Sequence, residues 1–350
     1  MIGKHNHNFR LVIYKKLCRF DPMESSLFWD IILFILGLLL LYIGAELLVR
    51  GSSRLALLAR ISPLIVGLTV VAFGTSFPEF VTSIVAAWQN KIGLAVGNIV
   101  GSNIANICLI LGVSGLLVPV MIDPKTVKKE LYWMVAAAAL YWIFALGSAV
   151  THLEGIILVT GIIVFSLNMI GTSLKERKTM KAEKSIYQES KRLHKLPLAV
   201  RLSIYFLMTL GGICVLMLGS GWLIESATNM ARKLGVSEVV IGLSLVAFGT
   251  SLPELATAII AIIRSENEIL LGNIVGSNIF NLLFVGGIIS TFYHTPINHR
   301  IIIIDLPIML IVSILLVIVV FKSKKISRST GLLFVTIYIC YITYTFLTHV

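Results

Sequence analysis

The sequence predicts an all-α membrane protein of about ten transmembrane helices, laid out as two inverted five-helix repeats with broken helices at the midplane. Three observations carry this. Of 350 residues, 57% are hydrophobic and 13% charged, with a mean hydropathy of +0.95. Apolar stretches of roughly 20 residues, enough to cross about 30 Å of hydrocarbon, recur along the whole length. Residues 67–106 and 242–281 align without a gap at an offset of 175, with about 22 of 40 positions identical. Each copy carries one carboxylate, Glu79 or Glu254, in an apolar stretch. An ionisable group at that depth is costly and marks function by default.

Taken in order, residues 1–22 are polar and basic without an apolar core, and read as an N-terminal extension, with Met23 as the alternative start. Ten spans follow, near 27–49, 61–88, 93–119, 131–149, 154–174, 200–224, 236–263, 268–292, 301–321 and 330–348. The polar stretch 175–199 has too few apolar residues to build a core and reads as a solvated tether. It separates repeat one (23–174, spans one to five) from repeat two (200–350, spans six to ten). Five is odd, so the second copy inserts upside down. That is the plan of secondary transporters, with a substrate site at the midplane where the copies meet.

Lysines and arginines set the orientation. With span one starting outside, the inner loops hold Arg50, Arg54, Arg60, Lys125, Lys128, Lys129, the eight cations of the linker, Arg264, Lys322, Lys324, Lys325 and Arg328. The outer loops hold only Lys91, Arg232, Lys233 and Arg300. The positive-inside rule therefore puts the 175–199 linker in the cytoplasm and both termini on the other side of an inner membrane. The formal charge of +12 is spread between apolar segments and forms no basic domain with aromatic platforms, so nucleic acid is excluded as a partner. Cys18, Cys108, Cys214 and Cys340 lack the spacing of a zinc site or a disulfide framework.

The chemistry sits in A-F-G-T-S-F-P-E at 72–79 and A-F-G-T-S-L-P-E at 247–254. Pro78 lacks an N–H and crowds the carbonyl four residues back, which predicts a break near Gly74 and a helix restarting at Phe77–Pro78, capped by Thr75 or Ser76. Glu79 and Glu254 then lie in the first turn of a restarted helix, whose positive end favours a carboxylate. In the next span Asn98, Ser102 and Asn106 share a face, as do Asn273, Ser277 and Asn281. Gly97, Gly101, Gly272 and Gly276 allow close helix approach. Carboxylates, hydroxyls, amide oxygens and freed carbonyls make an all-oxygen site of the kind Ca²⁺ takes, and no His, Cys or Met joins it. Two carboxylates about 6 Å apart repel by roughly 3 kcal/mol at an effective dielectric of 20. One divalent cation relieves this; so do two Na⁺ or two protons.

These paired G-T-S-x-P-E and G-N-I-V-G-S-N-I-x-N blocks resemble the two alpha-repeats of the cation/Ca²⁺ exchanger superfamily, the sodium/calcium exchanger type, most nearly its bacterial inner-membrane branch. The resemblance implies that Glu79 and Glu254 bind Ca²⁺ with the carbonyls of Thr75 and Thr250. It implies Na⁺ sites completed by Ser76, Ser251, Ser102, Ser277 and the carbonyls of Ala72 and Ala247, with Asn106 and Asn281 lining the central position. Relatives often carry Asp at one of those last two positions; this chain has Asn at both. The resemblance further implies alternating access, the first and sixth spans moving past a core of spans two, three, seven and eight. The expectation is an antiporter, not an enzyme, with no cofactor and with Ca²⁺ and Na⁺ as transported ions. H⁺ in place of Na⁺ is the alternative on the same fold, and a passive cation channel the alternative of another class. Glu46 reads as an i,i+4 partner of Arg50, and Asp305, at the edge of the ninth span before Pro307, as an interfacial or structural residue.

Overall fold

The computed structural model describes residues 27–179, 196–234 and 247–349. The extension 1–22 and most of the tether lie outside these residues. Helix α1 (Leu27–Ala59) is followed by the bent pair α2 (Pro63–Thr75) and α3 (Phe77–Trp88), then α4 (Ile92–Leu117), α5 (Pro124–Ala145) and α6 (His152–Thr179). The second half holds α7 (Leu198–Lys233), a short α8 (Ala247–Thr250), α9 (Leu252–Ile263), α10 (Asn267–Phe292), α11 (Ile301–Ser323) and α12 (Arg328–His349). Six of them, α1, α4, α6, α7, α10 and α11, are long and apolar enough to cross a membrane, and α2–α3 taken as one crossing makes a seventh.

Helices α1 and α7 outrun their expected ends furthest. They are 33 and 36 residues long, or about 50 Å at 1.5 Å per residue. The apolar run of α1 stops at Glu46 and Arg50, but no glycine–proline signal stops the helix there. It ends where Arg60 turns into the left-handed region (φ 57°) ahead of Pro63. Helix α5 starts seven residues earlier than hydropathy indicates, because the Asp123 side chain accepts from the Lys125 N–H at 3.0 Å and Pro124 opens the first turn.

Helices α1 and α7 pack antiparallel through glycines. A Cβ at Gly44 would meet the Leu216 nitrogen at 2.6 Å, and one at Gly219 the Leu41 nitrogen at 2.8 Å. Gly37 lies against Gly219, and Gly44 against Gly212. The offset of 175 carries Gly37 to Gly212 and Gly44 to Gly219, so it exchanges the two contacts. Two short antiparallel ribbons behave alike. Strand β1 (Val120–Met121) pairs with β4 (Lys325–Ile326), and β2 (Ala149–Val150) with β3 (Thr295–Pro296). By the offset β1 corresponds to β3 and β2 closely to β4, so each ribbon maps onto the other.

Inside this frame α10 lies against α2, with Gly272 and Gly276 close to the Leu64 and Leu68 carbonyls. The buried core runs through α4, α5, α10 and α11, including Ile107, Leu111, Leu131, Tyr141, Ile274 and Leu316. Leu38, Leu39, Leu207, Leu210 and Ile170 stay exposed on the outer helices, as a lipid-facing surface requires.

Candidate cation site

The break in the first copy falls two residues later than Pro78 alone indicates. Gly74 stays helical; the chain departs at Ser76 (φ −83°, ψ 4°), and α3 leaves at 44° to α2. The reason for Gly74 is space, not a turn: a Cβ there would meet the Ile213 side chain of α7 at 2.4 Å. Ser251 repeats the kink between α8 and α9 (φ −90°, ψ 6°). Neither serine caps its following helix through its side chain. Both hydroxyls are spent across the repeat.

Ser76 Oγ donates to Glu254 Oε1 at 3.0 Å, and Ser251 Oγ donates to Glu79 Oε1 at 3.1 Å. Each kink thus holds the carboxylate of the other copy. The threonines cross over in the same way: Thr75 Oγ1 donates to Asn273 Oδ1 at 3.0 Å, and Thr250 Oγ1 to Asn98 Oδ1 at 3.4 Å. Both glutamates are 1% exposed. Each keeps one buried carboxylate oxygen, Oε2, that accepts no hydrogen bond.

The polar faces of α4 and α10 complete the cluster. Ser102, Ser277, Asn106 and Asn281 are all buried. Asn106 Oδ1, Ser277 Oγ and both amide atoms of Asn281 have no hydrogen-bond partner. Asn98 braces the α3 break, donating to the Glu79 carbonyl at 3.2 Å and to Ser83 Oγ at 2.9 Å. The Ala72 carbonyl is less free than a broken helix implies, since it accepts the Ser76 N–H at 3.0 Å. Ala247 opens α8. The crossed hydrogen bonds bring Thr75, Ser76, Glu79, Thr250, Ser251 and Glu254 together. Ser102, Ser277, Asn106 and Asn281 lie buried on the helices that follow, and among the described residues no hydrogen bond ties them to the glutamates. Sequence reasoning passed over Asn278, Met134 and Ser83. Asn278 donates to Met134 Sδ at 3.7 Å and accepts from Asn106 Nδ2 at 3.0 Å. Its signal was available: the repeated block carries Asn at both 103 and 278.

Buried acceptor oxygens without donors are expensive unless a cation or protons satisfy them. The set here is two carboxylates surrounded by neutral oxygens. Among the described residues no three His, Cys, Asp or Glu side chains gather into a metal-binding group. Such an all-oxygen donor set suits hard cations.

Known proteins resemble this chain along most of its length. The family described as sodium/calcium exchanger protein matches residues 29–171 and 204–347, one block on each repeat. The sodium/calcium exchanger MaX1 of Methanosarcina acetivorans is 30% identical over 342 residues, covering 89% of this chain and 97% of its own. The inner membrane protein YrbG of Escherichia coli is 33% identical over 302 residues, covering 86% and 92%. A solved structure of the sodium-calcium exchanger NCX_Mj superposes with a TM-score of 0.77 at 30% identity, covering 91% of this chain and 99% of that one.

Proposed function

The chain belongs to the sodium/calcium exchanger protein family and is a multi-pass membrane antiporter of the cation/Ca²⁺ exchange type; on that premise we propose that it exchanges Ca²⁺ for Na⁺ at one shared site built on Glu79 and Glu254. Ca²⁺ is held by the two carboxylates with the Thr75 and Thr250 carbonyls. Na⁺ takes positions completed by Ser76, Ser251, Ser102, Ser277 and the Ala72 and Ala247 carbonyls, with Asn106 and Asn281 lining the centre. Either cargo must leave before the other binds, which is all that coupling requires. The observation that carries the reading is the reciprocal pair Ser76–Glu254 and Ser251–Glu79, each glutamate keeping one unsatisfied buried oxygen. A structural cap would not need that arrangement twice.

The wider layout we propose is ten spans in two inverted repeats, 23–174 and 200–350, with α2–α3 and α8–α9 as the broken spans. The exchanged glycine contacts of α1 and α7 and the exchanged ribbons support it. The 175–199 tether faces the cytoplasm of an inner membrane, and both termini the opposite side. Helices α1 and α7 carry the alternating motion past the core.

The test is ⁴⁵Ca²⁺ uptake into inside-out vesicles. A Na⁺ gradient at clamped pH is expected to drive it. Uptake driven only by a pH gradient would replace Na⁺ with H⁺, a reading that the two neutral amides at 106 and 281 keep in view. Uptake that persists with no counter-ion would make the protein a channel.

A further inference from the structure

The two central amides are identical in type and related by the repeat, yet they are held differently. Asn106 Nδ2 donates to Asn278 Oδ1 at 3.0 Å, and Asn278 Nδ2 donates to Met134 Sδ on α5 at 3.7 Å. All three residues are buried. A thioether sulfur can only accept a hydrogen bond. That fixes the sense of the chain: Asn278 must turn its NH₂ to Met134 and its oxygen to Asn106. Asn106 must then spend its NH₂ on Asn278. Its Oδ1 is left buried and unpartnered, on the helix face that also carries Ser102. A cation accepts only the oxygen end of an amide, and an amide turned the other way presents protons to it.

The second copy contains the same parts. The offset carries Met134 to Met309, Asn278 to Asn103 and Asn106 to Asn281. There the relay is not assembled: Asn103 Nδ2 donates to its own Ile99 carbonyl at 2.7 Å, and neither amide atom of Asn281 has a partner.

We propose that Asn278 and Met134 are positioning residues that hold the carbonyl end of Asn106 towards the transported cation, while Asn281 is the amide left to turn. The relay lets a site without an Asp at either central position still offer one pre-oriented neutral oxygen. This rests on the proposed function above, since it needs a cation at the Glu79–Glu254 site. Outer partners that orient a metal ligand are worth about 10- to 100-fold in affinity, and Asn278 is assigned that order of effect.

The experiment uses the full chain in proteoliposomes, reading ⁴⁵Ca²⁺ flux, with direct ⁴⁵Ca²⁺ binding in detergent alongside. N278L is expected to raise the apparent KM for Ca²⁺ by about tenfold or more, with kcat little changed, since the oxygen is lost to ground state and transition state alike. M134L, which keeps volume and apolarity but removes the acceptor, is expected to shift KM in the same direction by less. It carries the test if N278L fails to fold. The deciding arm is N106D, whose carboxylate offers oxygen at either end and needs no orienting: adding N278L is expected to leave its KM almost where it was. An unchanged KM in both N278L and M134L would overturn the proposal. So would an equal loss in the Asn106 and N106D backgrounds, which marks a packing role. If the parent chain itself neither binds nor moves Ca²⁺, the proposed function falls first, and the failure is read there and not in the variants.

Discussion

Ser76 and Ser251 show how much one hydroxyl decides. A serine at a helix break ordinarily caps the helix that follows; here each is turned away from its own backbone to hold the glutamate of the other repeat. The carboxylates are therefore positioned without being neutralised. In Glu79→Gln or Glu254→Gln the Oε1 that accepts the serine proton survives, so the fold is expected to persist while the charge is gone. Removing one member of a buried charge interaction costs about 2–5 kcal/mol, enough to take ⁴⁵Ca²⁺ flux to background with expression near normal. Retained flux in either variant would remove that glutamate from the site. Asn281→Asp makes the opposite change. No hydrogen bond is lost, because neither amide atom makes one, and a third carboxylate enters. Tighter Ca²⁺ binding and an altered Na⁺ dependence are expected in competition assays, and unchanged values would place residue 281 outside the ion path. The twelve candidate residues could be picked out because each is written twice at a constant offset. Asn278 is written twice as well, with Asn103, but its contact to Met134, 144 positions away outside either motif, is not announced by the repeat.

At the scale of elements, α1 and α7 form the crossing on which any sliding motion depends, and its closeness comes from glycine. Neighbouring residues of α7 make a clean contrast. A Cβ on Gly212 would lie 2.5 Å from the Leu48 nitrogen and 2.8 Å from the Gly44 carbonyl, both backbone atoms that cannot turn aside; at Gly211 nothing lies within 4 Å. Gly212→Ala is therefore expected to destabilise the protein by about 1–3 kcal/mol through overpacking. Gly211→Ala is expected to be neutral or to stabilise by up to about 1 kcal/mol through helix propensity. Thermal unfolding in detergent checks both, and equal behaviour of the two variants would mean the helices do not cross there. Hydropathy located these helices but cut them short, since it registers Glu46 and Arg50 as an end although helix geometry continues to Ala59. Glu46 is also more than the local partner of Arg50: its carboxylate accepts hydrogen bonds from both Nε and Nη2 of Arg264 at the end of α9. Its repeat counterpart is Gly221, and that of Arg264 is Gln89, so this tie has no mirror image. Nothing in a periodic pattern announces a pairing 218 positions apart. The π-helical turns at Asn106–Leu111 and Phe280–Gly286 were equally invisible, because one added residue per turn leaves apolar composition unchanged.

For the whole molecule, the two ribbons constrain topology in a way that no single helix does. Strand pairs β1–β4 and β2–β3 tie the loops near 120 and 325, and those near 149 and 296. They sit at the two ends of α5, whose 22 residues span about 33 Å at 1.5 Å per residue, close to the thickness of a hydrocarbon core. Loops joined by one ribbon share a membrane face, and under the proposed ten-span layout, in which α5 crosses, the two ribbons lie on opposite faces. Two-residue strands carry no sequence signature, so only the lysine and arginine bias spoke to sidedness beforehand. That bias puts Lys125 and Lys325 inside and the 149 and 296 loops outside. Single cysteines introduced at Lys125, Lys325, Ser148 and Asn298, in a chain whose own cysteines are replaced by serine, test both statements in right-side-out vesicles. An impermeant maleimide is expected to label Ser148→Cys and Asn298→Cys directly, and Lys125→Cys and Lys325→Cys only after permeabilisation. Labelling split within either pair would contradict the ribbons themselves. A reversed but self-consistent pattern would keep the fold and invert its orientation, putting the basic tether on the far side of the membrane. Exchange direction in the vesicle assay would then have to be read with the opposite sign.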